Sequence, residues 1–197
     1  DSAAASLTSG ANNTLIGGLA GDALTDADHN IAIGFNALTS DTLGSRAVAI
    51  GQGALETQNF TTATDNYNVG VGFHAGTSVT TGTNNVLVGG LAGDALTDAD
   101  ANVAIGKSAL SADTLGNKSI AIGLGTLQSQ NFTTATDSFN TAVGHGVGAS
   151  ITTGVKNTLI GAEAGDALTS SNNNVAIGYQ ALSSDTQGTK TVAIGVD

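Results

Sequence analysis

The apolar residues of this chain fall in short alternating runs, TLIG, IAIG, VAIG and VGVG, each closed by a glycine: Gly17, Gly34, Gly51, Gly72, Gly89, Gly106, Gly123, Gly144, Gly161, Gly178 and Gly195. Successive glycines stand 17, 17, 21, 17, 17, 17, 21, 17, 17 and 17 residues apart. In Ile31-Ala32-Ile33 the period of two sets both isoleucines on one face of a strand and Ala32 on the other. A second apolar pair recurs three and four residues past the glycine, as in Ala37-Leu38, Ala54-Leu55 and Ala109-Leu110, and it reads as a second strand. The polar stretch that follows, 39–46 in one unit, is rich in Ser, Asp and Gly and reads as a turn. Helices are not expected, because no apolar stripe at helical spacing survives more than a turn.

The units nest. GGLAGDALTDAD at 17–28 returns at 89–100, and QNFTTATD at 58–65 returns at 130–137, so four units make a superrepeat of 72 residues. A fixed short period means a solenoid. The expected fold is therefore all-β, a parallel β-solenoid or β-roll of about 17-residue coils. Residues 1–197 form one repeat domain, with superrepeats at about 13–84 and 85–156 and a partial one at 157–197.

The middle residues of the strands, among them Leu15, Ala49, Leu87, Ala121, Leu159 and Ala193, are all apolar and mostly small. If the flanking Val and Ile fill the roll, these make a second dry stripe about 50 Å long, read here as a self-association face. The alternative is that both faces are buried in one wider monomer.

Composition supports thin layers over a deep core. Gly numbers 28 of 197 residues and aromatics are 4%, while the 40% of apolar residues are placed too regularly for disorder. No Pro occurs, so every residue can donate to a ladder. The net charge of −11 makes nucleic acid a poor partner. The absence of Cys excludes a disulfide framework. No apolar run of about 18 residues is present to insert in a membrane as a helix. The chain starts at Asp1 without any Met, which reads as a segment of a longer protein.

The runs Ala47-Val48-Ala49-Ile50-Gly51, Lys118-Ser119-Ile120-Ala121-Ile122-Gly123 and Asn173-Asn174-Val175-Ala176-Ile177-Gly178 resemble the N-S-V-A-I-G repeat of the YadA-like heads of trimeric autotransporter adhesins. Asn174 through Leu182 is equally similar to the NNTAIGYQAL-type repeats of phage tail fibres. The likeness covers Asn12 to Val196; the coils here are longer than those of the adhesins, with the extra residues in the turns. The resemblance implies three chains packed as an extracellular rod.

Chemistry is sparse. His29, His74 and His145 form no ladder, and no HExxH, GxSxG or strand-GxGxxG-helix context occurs. Asp26 and Asp28, repeated as Asp98 and Asp100, are candidate ligands for a structural calcium, against the plainer reading of turn capping. The third copy has Ser170 and Asn172 instead. Asp41 with Arg46 and Asp113 with Lys118 read as surface ion pairs across equivalent turns. The 21-residue coils hold Phe60, Tyr67, Phe132 and Phe139. They are candidate receptor contacts if the loops project, or a satellite cluster if the rings tuck under.

These readings converge on a structural and adhesive fibre module, not an enzyme: a homotrimeric rod of a phage tail fibre, in the virion, meeting a host cell-surface glycan or protein. The alternatives are the head of a bacterial trimeric autotransporter adhesin at the cell surface and, ranked lower, a solenoid enzyme that degrades polysaccharide.

Overall fold

The computed structural model describes residues 2–196. It is an all-β parallel solenoid. Eleven three-residue strands, from Thr14–Ile16 and Ile31–Ile33 to Val175–Ile177 and Val192–Ile194, form one sheet in which each pairs with the next along the chain. The register never slips: Leu15 lies opposite Ala32, Ala32 opposite Ala49, and Ala49 opposite Gly70. A 21-residue coil therefore absorbs its four extra residues away from this sheet. Part of that excess forms two small parallel pairs, Gly44–Ser45 with Thr64–Asp65 and Gly116–Asn117 with Thr136–Asp137.

Turning a 17-residue coil takes sharp corners. The glycine after each strand has φ between 122° and 146°, outside the reach of an L side chain. Stacking adds a second constraint, since a Cβ on Gly72 would stand 2.6 Å from the carbonyl oxygen of Gly89 in the next coil. Where a second strand was expected, the chain makes another corner instead. Leu38, Leu55, Leu110, Leu127 and Leu182 have φ of 50° to 64°. Such left-handed residues cannot continue a strand, yet they keep the ladder: Leu38 N–H donates to Ala54 O and Leu55 N–H to Ala75 O, both at 3.0 Å.

The strands face the opposite way from the sequence expectation. Ala32, Ala49, Leu87, Ala104, Ala121, Ala142, Leu159 and Ala176 are 0% exposed and sit in the core. Their Val and Ile neighbours point outward. The reason is volume, because the roll is too thin to take two β-branched residues per strand as well as the leucines of the corners. Each coil instead supplies three inward positions: the strand middle, the corner residue six further on, and a residue three beyond that. Where the middle is Leu15, Leu87 or Leu159, the corner is Gly21, Gly93 or Gly165; where it is Ala32, Ala49, Ala104 or Ala121, the corner is Leu38, Leu55, Leu110 or Leu127. A Cβ on Gly21 would come within 2.8 Å of both Leu15 and Leu24. In these coils bulk is traded between middle and corner; where both are small, as at Gly70 and Gly76, leucines of the neighbouring coils fill the space, since a Cβ on Gly76 would stand 2.6 Å from Leu87 and 2.9 Å from Leu55.

The third inward position explains the superrepeat. It reads Leu24, Asp41, Gln58, Val79, then Leu96, Asp113, Gln130, Ile151, then Leu168 and Asp185. Two apolar layers alternate with two polar ones.

A buried asparagine column runs beside the sheet through Asn30, Asn68, Asn85, Asn102, Asn140, Asn157 and Asn174. Asn85 is typical. Its Oδ1 accepts from Asn102 N–H at 3.0 Å, and its Nδ2 donates to Ala99 O at 2.7 Å. One side chain thereby satisfies a backbone donor in the next coil and a carbonyl across the turn, groups that burial would otherwise leave unpaired.

Candidate functional site

The outer face of the sheet carries the first surface. Its two columns hold 22 side chains, 19 of them Val or Ile and the other three Thr14, Thr141 and Thr158. Ile31, Ile105, Ile120 and Ile160 are 36% to 39% exposed. At about 4.8 Å per rung the face is about 50 Å long. Just past its edge stand Phe35, Phe73, Leu124 and Tyr179, each half exposed. Continuous exposed apolar surface of this length is uncommon on a solitary chain.

The self-association row named from sequence is therefore misplaced. Ala49, Leu87, Ala121 and Leu159 are fully buried within one chain, and Leu15 and Ala193 lie in the same inward row by register. The apolar outward stripe exists, but its members are the β-branched residues on either side.

The long coils carry the second surface, and here the aromatics divide. Phe60 and Phe132 are 6% and 7% exposed, so they are not available as receptor contacts. Tyr67 and Phe139 are half exposed. Each has a cation over one face of its ring, Arg46 Cζ at 6.0 Å and Lys118 Nζ at 5.3 Å from the ring centre. Each cation is held by an acid of the next coil, the one that carries the ring: Arg46 Nε to Asp65 Oδ2 at 2.9 Å and Lys118 Nζ to Asp137 Oδ2 at 2.6 Å. The Lys118 hydrogen bond holds the Asp137 carboxyl below the usual carboxylate range.

These ion pairs replace those expected with Asp41 and Asp113. Both of the latter are fully buried at the third inward position. Asp41 Oδ1 accepts from Gly44 N–H and Phe60 N–H, both at 3.0 Å, and Oδ2 accepts from Gln58 Nε2 at 2.6 Å. Gln58 Oε1 accepts in turn from Asn68 Nδ2 at 2.9 Å. The second copy repeats this with Asp113, Gly116, Phe132, Gln130 and Asn140. Burial pushes both carboxyls above their ordinary range, and the hydrogen bonds from Gln, Phe and Gly only partly offset it. Each carboxylate acts as an anchor: it fixes the backbone where the long loop leaves the roll. The signal was present in the sequence, since Asp and Gln occupy a position that is otherwise aliphatic.

The calcium candidates are spoken for by neighbouring coils. Asp26 and Asp98 accept from Ser9 Oγ and Thr81 Oγ1, at 2.7 and 2.6 Å, and Asp28 and Asp100 accept from the N–H of Ala11 and Thr83, at 2.7 and 2.6 Å. These bonds tie stacked coils together across seventeen residues and are not caps within the aspartates' own turns. Among the described residues no group of three or more His, Asp or Glu side chains is placed to hold a metal ion.

No helix of the described residues is long and apolar enough to cross a membrane. Comparison with protein-family models, with curated proteins and with solved structures finds no match to this chain.

Proposed function

We propose that this chain is a structural and adhesive fibre module, a stiff rod whose Val and Ile face packs against copies of itself and whose long-coil loops meet a host surface. The observation that carries the reading is the eleven-rung apolar face, which a solitary rod would leave in water. Burying it removes β-branched side chains from water along the full length of the sheet, at roughly 25 cal/mol per Å² of apolar surface. Three copies around one axis, in an extracellular virion fibre, is the arrangement implied by the N-S-V-A-I-G resemblance. A tail-fibre rod is preferred to an adhesin head because the NNTAIGYQAL-type run continues through the corner to Leu182.

Mass measurement in solution tests the assembly. The expected result is a species of three times 19.1 kDa; a stable monodisperse monomer would overturn the reading.

A further inference from the structure

One exposed residue per coil, the second before each three-residue strand, forms a column down the rod. It reads His29, Arg46, Tyr67, Asn84 in the first superrepeat and Ala101, Lys118, Phe139, Lys156 in the second. All eight have left-handed φ of 50° to 66°, which fixes where their side chains leave the backbone. Two of the four positions keep their kind between the copies, Arg46 against Lys118 and Tyr67 against Phe139, with an Asp bonded to the cation in both; His29 against Ala101 and Asn84 against Lys156 do not. Rings that served only to cover a loop would be buried, as Phe60 and Phe132 are; Tyr67 and Phe139 are 52% and 49% exposed.

We propose that Arg46, Asp65 and Tyr67, and likewise Lys118, Asp137 and Phe139, are two equivalent subsites for neutral pyranose units of a surface carbohydrate. This rests on the adhesive part of the function proposed above and names its ligand class. A pyranose offers an apolar C–H face and a rim of hydroxyls. A rigid exposed ring accommodates the first at small entropic cost. A carboxylate accepts from hydroxyls while the adjoining guanidinium or ammonium donates to them. Pairing each cation with an acid leaves the subsite without net charge on a chain of net charge −11, which favours a neutral sugar over an anionic one. The subsites stand four rungs apart, about 19 Å, so a polysaccharide chain can engage both and gain by multivalency.

The test is saturation-transfer NMR of the intact chain with four neutral probes: maltotetraose, cellotetraose, chitotetraose and α-mannotetraose. At least one should bind, and the Tyr67→Ser, Phe139→Ser double variant should bind it about tenfold more weakly with unchanged mass and melting temperature. Tyr67→Phe should bind as the parent does, because the second copy already carries Phe. Asp65→Asn with Asp137→Asn should also weaken binding, which separates hydroxyl recognition from loop packing. No transfer with any probe, or binding undiminished in the serine variant, overturns the subsites. Cell attachment that persists in that variant while saccharide binding is lost supports the subsites and removes their adhesive role. Attachment by a parent chain that binds none of the probes overturns the subsites and leaves adhesion standing.

Discussion

At the scale of the residue, the fold turns on two columns, the corner glycines and the buried asparagines, the second interrupted at Ala47 and Ser119. Gly72 combines φ of 137° with a next-coil carbonyl where a Cβ would go. Gly72→Ala should cost about 3 kcal/mol or more in chemical denaturation, from strain and clash together. The asparagines allow a paired control. Asn85→Ala strips a partner from Asn102 N–H and Ala99 O inside the roll and should cost about 2 to 3 kcal/mol. Its exposed neighbour Asn84 is bonded to Thr83 Oγ1 at the surface, and Asn84→Ala should cost about 1 kcal/mol or less. Equal losses for the two would refute the ladder. The glycine period was legible because no other residue suits that corner. The asparagines were visible in sequence only as polar residues beside a strand, since nothing local says that a side chain will be satisfied seventeen residues away.

At the scale of the element, a three-residue strand states which residues share a face but not which face is inward. That is why Val48 and Ile50 were read as core and Ala49 as surface. The deciding information lay in another element, in the exchange of Leu and Gly between strand and corner: Leu15 with Gly21, Ala32 with Leu38. The polar layers were misread for a related reason. Asp41 and Arg46 are close in sequence, whereas Arg46 meets Asp65 through the loop that the long coil adds. These layers bear on stability as pH changes. The folded values of Asp41 and Asp113 lie above their ordinary value of 3.8, so the native state holds protons that the unfolded chain gives up. Their stabilising effect is complete below 3.8 and declines as pH rises through the folded values. Asp137 acts in the opposite sense, its contribution fading as pH falls through a value below 3.8. Melting temperature followed against pH should therefore drop on the alkaline side of 3.8, and Asp41→Asn with Asp113→Asn should flatten that drop. An unchanged slope in the double variant would show that the buried layer does not titrate.

For the whole molecule, the inward and outward rows make adjacent residues respond differently to the same change. Leu87→Asp places an unpaired charge in the core and should unfold the chain, a loss of at least about 4 kcal/mol. Val88→Asp sits on the outer face and should leave circular dichroism and melting of the single roll intact while abolishing assembly. Sedimentation of the two variants distinguishes these results; a Val88→Asp rod of unchanged mass would place the contact between copies elsewhere.

The ladder has a mechanical side. Backbone hydrogen bonds between neighbouring coils all run along the rod, so a pull on its two ends loads the coils in series and can peel only the outermost one at a time. Each peeled coil should pay out about 5 nm, from 17 residues at about 3.4 Å apiece less the rung it vacates. The 21-residue coils should give about 6.7 nm, once in every four steps. Stretched between a bead and a surface, the chain would mark off its own superrepeat as three short steps and a long one, a graduated tether that yields in increments instead of breaking.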